Sequence, residues 1–264
     1  MKKIAGVFIL VVLISCNSKK EKLIYQDYSN KYYAKIDESD KNGSVDTLYT
    51  FYDFNDPEKV REVGFIKDGL HNGLWSYNLN SGAKTIDWGY YQDTTQNFQT
   101  NIFAKADSLI HQGAFSKFIF NTGNDKLILT IAINSPVKDS LTEKNYKQLM
   151  EEDFAKIGVV LNYFQTKKLI NNGKDIYISE IKAYKPSTNK IRFEKDAYCF
   201  LDKNNFVEIS IGYSNEKNVD ADILFNAVLT SFFINGKRLY DPFVPSTISY
   251  PDWAKSKTDS TDAK

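Results

Sequence analysis

The chain has 264 residues, 42% hydrophobic and 14% aromatic, with 34 lysines and arginines against 33 aspartates and glutamates. That length and apolar content support one or two packed domains and exclude a chain too polar to fold. A formal net charge of +1 without a basic stripe excludes nucleic acid as a partner.

Residues 1–15 have the layout of a secretory signal. Lys2 and Lys3 form a positive start, Ile4 to Ile14 is an apolar run, and Ser15 closes it. The run is too short for a spanning helix, which needs roughly 20 apolar residues. Leu13-Ile14-Ser15-Cys16 resembles the bacterial lipobox. The resemblance implies that residues 1–15 are removed and that Cys16 is acylated and becomes the N-terminus. Several acyl chains hold a protein on a bilayer stably, at about 0.8 kcal/mol per buried CH₂. Asn17, where an aspartate would retain a lipoprotein at the inner membrane, favours the outer membrane of a Gram-negative bacterium. Loss of Lys2 and Lys3 from the 34 basic residues leaves 32 against 33 acidic ones, a mature charge of −1.

Residues 16–45 read as the lipidated N-terminus and a tether, rich in lysine, glutamate and turn formers, with local structure around Tyr25 to Tyr33. Between 46 and 100 the pattern changes to short aromatic strands punctuated by glycine. A shift of twenty-five residues superposes Tyr52 on Tyr77, Lys59 on Lys84, Gly64 on Gly89 and Asp68 on Asp93. Phe65 falls on Tyr90 in the same shift. Asp68-Gly69 and Asn72-Gly73 are both expected as tight turns. Trp75 and Tyr77, two apart, share one face of a strand. The stretch GFIKDGLHNGLWSYNLNSG resembles a MORN-type repeat with a G-x-W-x-Y core, through Gly64, Gly69, Gly73, Trp75, Tyr77 and Gly82. It covers about two copies. The first departs from the pattern at Asn55-Asp56-Pro57, where the second has Asn80-Ser81-Gly82. So short an array needs a neighbour to bury its faces.

A second pattern fills residues 101–240. FSKFIF and KLILTIAI flank a turn at residues 121–125 and predict a hairpin. Ser140-Leu141-Thr142-Glu143 is a capping box for a helix carrying Tyr146, Leu149, Met150, Phe154 and Ile157, ended by Gly158. Four strands follow, the first two joined by Asn172-Gly173 and the last two by a turn around Asp202 to Asn205. Asp220 or Asp222 is the expected cap of a second helix with Leu224, Ala227, Val228 and Ser231 on it. Hairpin, helix, antiparallel meander and helix predict an α+β fold. This order, with a closing helix that ends LTSFFI, is similar to the PsbP-like fold, whose members are generally non-catalytic. No functional residue is carried over from it. Residues 241–264 form a polar tail in which Trp253 is an expected anchor onto the body.

The residues that carry chemistry are sparse. His71 and His111 have no metal-ligand spacing, and His71 is expected exposed in its turn. Neither a phosphate loop nor a G-x-S-x-G elbow is present. Glu151-Glu152-Asp153 reads as a solvated helix face. Cys199, apart from Cys16 the only cysteine, lies in an apolar strand and reads as a buried structural thiol. Trp75, Tyr77, Trp88, Tyr90 and Tyr91 form an aromatic stripe, read first as repeat core. Trp75, Tyr77, Trp88 and Tyr90 are the candidate contacts should the stripe face a ligand or partner. The resulting expectation is a non-catalytic, lipid-anchored binding or scaffold protein of the cell envelope, without cofactor or metal. Its expected partner is another envelope protein. The rival readings are a glycan- or small-ligand-binding module on the aromatic face, and an enzyme of unrecognised type using Cys199 or His111.

Overall fold

The structure, a computed structural model, describes residues 23–26, 31–37, 47–53, 56, 58–123, 125–133, 146–202 and 205–250. Cys16, the capping box at 140–143 and Trp253 lie outside the described residues. In chain order the strands begin with β1 (Leu23–Gln26), β2 (Lys31–Asp37), β3 (Thr47–Asp53) and β4 (Val60–Lys67). β5 (Leu70–Leu79), β6 (Gly82–Asp93) and β7 (Phe98–Phe103) continue the run. Next come β8 (Ser108–Gln112), β9 (Phe115–Thr122), β10 (Asp125–Ile133) and helix α1 (Tyr146–Lys156). A four-strand meander follows, β11 (Val160–Asn171), β12 (Lys174–Lys185), β13 (Lys190–Phe200) and β14 (Phe206–Tyr213). Helix α2 (Val219–Ser231), β15 (Phe233–Ile234), β16 (Lys237–Arg238) and β17 (Thr247–Ser249) close the chain.

The strands form two antiparallel sheets, and with the two helices they make an α+β fold. Among the described residues the first sheet runs β1-β2-β3-β4-β5-β6-β7-β15-β16 and the second β17-β11-β12-β13-β14-β10-β9-β8. The turns obey local chemistry. Asp68-Gly69, Asn172-Gly173 and Asn235-Gly236 each have two consecutive positive φ values, the type I′ geometry that matches strand twist. The meander and both helices fall where the hydrophobic periodicity placed them.

Four features differ from the sequence reading. Residues 23–26 and 31–37, expected within a tether, form an antiparallel pair, and β2 pairs with β3. The boundary expected between residues 100 and 101 falls inside β7. Asn72-Gly73 is no turn: Asp68-Gly69 has already reversed the chain, and Gly73, at φ +64, sits within β5 beside a register shift. The cap of α2 is Asn218, whose side chain accepts from Ala221 N at 3.1 Å, while Asp220 and Asp222 fill the first turn. There their charge favours the positive end of the helix.

Helix α2 is apolar nearly all round, with Ala221, Leu224, Phe225, Ala227, Val228 and Leu229 all buried. Such a helix belongs inside a core. It lies between the sheets: Phe232, just after it, stacks on Phe98 of β7 at 5.3 Å, while Asp222 pairs with Lys195 of β13. Beside the helix the sheets touch directly, Tyr91 against Phe118 at 4.7 Å and Phe103 against Phe120 at 5.4 Å. One continuous core therefore holds Phe51, Trp75 and Trp88 of the first sheet together with Leu127, Ile178 and Ile209 of the second. The opposite face of the second sheet packs Phe164, Ile181 and Tyr198 with Phe154 of α1 in a smaller cluster.

Candidate functional site

The four candidate contacts of the aromatic stripe divide into three core rings and one exposed ring, because the in–out alternation of β6 changes phase after Trp88. Trp75 is fully buried, and Tyr77 and Trp88 nearly so. Trp75 lies against Gly64, where an added Cβ would come within 2.2 Å of the indole. Its Nε1 donates to the Phe65 carbonyl at 3.1 Å, and Trp88 Nε1 donates to the Tyr77 hydroxyl at 3.0 Å. These rings are packing, and their faces are withdrawn from any ligand. Tyr90 points the other way, 52% exposed, with its hydroxyl near Gln92 and Gln99.

His71 overturns the expectation of an exposed turn residue. It is buried in β5 beside Trp75, ring centroids 4.0 Å apart. At this point β5 has no ladder partner on its β6 side, because their pairing begins at Gly73. Asn101 of β7 supplies the missing bonds. Its Oδ1 accepts from His71 N at 2.7 Å, and its Nδ2 donates to the carbonyls of His71 and Gly89 at 2.8 and 3.0 Å. Burial drives the His71 imidazole down to about 3, against the hydrogen bond from Asn101 and together with the charge of Arg238. His71 is therefore neutral at physiological pH. Asn101 carried no signal in the sequence, since its role depends on a partner thirty residues away.

Cys199 is 1% exposed, and burial pushes its thiol up to about 11, with Lys174 opposing. It is not held as a thiolate nucleophile. Glu151, Glu152 and Asp153 are exposed on α1, where Asp153 pairs with Lys156 at 2.7 Å. Among the described residues no group of three or more His, Cys, Asp or Glu side chains is placed to hold a metal.

His111 stands in the most chemically mixed neighbourhood. Its Nδ1 lies 3.4 Å from Asp93 Oδ2 and 3.1 Å from Ser116 Oγ. A Ser-His-Asp relay needs the hydroxyl on one ring nitrogen and the carboxylate on the other. Here both approach Nδ1, and Ser116 is fully buried. The contact is better suited to fastening. Asp93 Oδ1 accepts from Thr95 N and Gln96 N, both at 2.9 Å, which shapes the turn after β6. Gln96 Nε2 donates to Gly113 O at 2.8 Å. Together they moor the β8–β9 hairpin of the second sheet to the first.

That hairpin leaves an unusual edge. β8 is the last strand of its sheet among the described residues, pairing only with β9 from Ser108↔Ile119 to Gln112↔Phe115. Its Leu109 and Ile110, with Phe115 of β9, are each nearly half exposed. Natural sheets blunt such edges with lysine, proline or a covering segment. Among the described residues β8 presents an outer edge, with Leu109 on the core face of the sheet and Ile110 and Phe115 on the other, and Asp93 ties the hairpin to the first sheet. The chain matches no known family model, and no curated protein matches it in sequence.

Proposed function

We propose that the chain is a lipid-anchored envelope protein whose folded body binds and scaffolds another envelope protein, without catalysis of its own. In this reading residues 1–15 are a signal peptide and acylated Cys16 holds the protein on the outer membrane. The strands within 46–100 form a MORN-like run, and residues 101–240 a PsbP-like unit. Support for the latter is the order hairpin β9–β10, helix α1, meander β11–β14 and helix α2. Support for the former is the close packing of Trp75 on Gly64, two of the positions that carry the resemblance.

One observation carries the binding assignment: the moored edge of β8, uncovered among the described residues, with Leu109, Ile110 and Phe115 each about half exposed. An extended segment of a partner adds to such an edge through main-chain hydrogen bonds, while alternate side chains supply specificity. The aromatic-face alternative is weaker, because Trp75, Tyr77 and Trp88 are core.

The test is a photocrosslinking residue placed at Ile110 in intact cells, with the same residue at exposed Leu74 of β5 as the control site. The expected result is one discrete envelope-protein adduct at 110 and none at 74. Leu109→Lys with Phe115→Lys should remove the adduct, and near-ultraviolet circular dichroism matching the parent checks that the fold is kept, since each side chain is about half buried. An adduct that survives the lysine pair, or appears equally from both sites, sinks the edge-strand assignment.

A further inference from the structure

At the end of the second sheet, away from β8, lies a cleft of about 350 Å³. Ile128 of β10, Ile191 of β13, Phe154 of α1 and the residues just after it, Ile157 and Val159, give it apolar walls. Lys126, Lys185, Lys190 and Arg192 stand on its border, and no acidic side chain among the described residues lines it. Its size is near the lower end of the range for small-molecule sites, roughly 300–1,000 Å³. Apolar surface is left open at its mouth: Ile157 is 59% exposed and Ile191 44%.

The four cations are not equivalent. Arg192 donates to Glu194 Oε2 at 2.8 Å, which offsets its charge. The guanidinium lies over Gly212, where an added Cβ would come within 2.6 Å of Nη2. Lys126, Lys185 and Lys190 have no carboxylate partner among the described residues. The chain as a whole is nearly neutral, so three unpaired ammonium groups around one apolar hollow are a local excess. Like charges crowded without counter-ions destabilise a surface unless an anion joins them.

We infer that this cleft binds a single-chain anionic amphiphile of the fatty-acid class, its acyl chain between Ile128, Phe154 and Ile191 and its carboxylate among Lys126, Lys185 and Lys190. A sugar does not fit the walls, which offer few polar groups, and a free inorganic anion would leave them wet. An acyl chain covers the apolar walls, and the head group neutralises the rim. Arg192, paired with Glu194, sets the border rather than the charge. The inference does not depend on the edge-strand assignment, which concerns another part of the molecule.

The experiment titrates residues 17–264, which include every described element, with a fluorescent long-chain fatty acid kept below its micelle concentration. Saturable binding is expected, weaker by about tenfold or more for the alcohol of equal chain length, because a charge-assisted contact is lost. Lys126→Glu with Lys190→Glu should weaken the acid by at least about the same factor. Ile157→Glu, at an exposed wall position, should do likewise, and near-ultraviolet circular dichroism of all variants should match the parent. Equal affinity for acid and alcohol, or indifference to both sets of substitutions, would overturn the inference. So would binding to anionic phosphatidylglycerol vesicles with none to the monomeric acid, which would make this face a membrane contact.

Discussion

His71 shows how one buried ring connects packing to solution behaviour. Its pKa in the folded protein is about 3, below the ordinary value near 6.5, because burial disfavours the imidazolium. Below pH 6.5 the unfolded chain takes up a proton that the folded chain refuses. Stability contributed by this residue is therefore complete above pH 6.5 and declines as the pH falls towards 3, by up to about 1.4 kcal/mol per pH unit. Urea titrations at pH 7, 5.5 and 4.5 measure this directly. In His71→Gln, which cannot titrate, that part of the slope should vanish, so the gap between parent and variant narrows as the pH falls. Parallel pH profiles for the two proteins would contradict the buried neutral ring. The same residue marks where local reading stops. His71 follows a glycine-rich turn and looks solvent-facing, yet its burial is set by Trp75, Trp88 and the amide of Asn101. None of those contacts leaves a trace in the residues beside it.

At the level of single elements, helix α2 depends on its first residues. Asn218 accepts from Ala221 N and donates from Nδ2 to Asp125 Oδ2 at 2.6 Å. Asp125 also accepts from Ser214 and Asn215 N, so one carboxylate gathers the hairpin end of β10 and the loop entering α2. These bonds hold its carboxyl below the ordinary aspartate value although burial acts the other way. Asn218→Ala should cost about 1–2 kcal/mol through loss of the cap. Asn218→Asp tests the second bond: aspartate caps a helix as well as asparagine, but here it would set two carboxylates against each other. Chemical denaturation should therefore rank parent above Ala and Ala no higher than about level with Asp. An Asp variant as stable as the parent would show that the Asp125 bond carries no weight. The helix itself was legible from its apolar run, as were the meander and the Asn172-Gly173 turn, because each is decided within a dozen residues. The cap was not: Asp220 or Asp222 is the expected cap, and only the approach of Asp125 distinguishes Asn218 just before them. The strands β1 and β2 were obscured for a related reason: short aromatic runs flanked by charges acquire their fold only by pairing with β3.

Across the whole molecule, the shared core makes the two sheets interdependent. Phe51, Trp75 and Trp88 belong to the same cluster as Leu127, Ile178, Ile209 and the buried residues of α2. Thr100 Oγ1 donates to Val228 O at 3.1 Å, and Asn101 N donates to Ser231 Oγ at 2.9 Å, so β7 and α2 are joined by polar contacts as well. Calorimetry of residues 17–264 should accordingly give one cooperative transition, as contacts shared across a core require. Two transitions separable by Trp88→Ala, which hollows the first sheet, would show that the sheets melt independently. A division at residue 100 reads plausibly from composition, because the glycine-aromatic pattern ends there. What composition does not register is that Phe233 and Ile234 return to pair with β7.

The return of the chain's last segment has a consequence for its history. Residues 219–240 supply the helix between the sheets and the strands β15 and β16 at the edge of the first sheet, and β17 later borders the second. A polypeptide that emerges from its N-terminus exposes Trp75 and Phe118 long before α2 arrives. Such long-range closure holds folding back until residues 219–240 have emerged. The delay leaves apolar residues of both sheets open to water until α2 arrives. It is a hazard, since the unfinished sheets are sticky in the interim. The arrangement thus ties the yield of folded protein to how long the early strands wait before α2 has emerged.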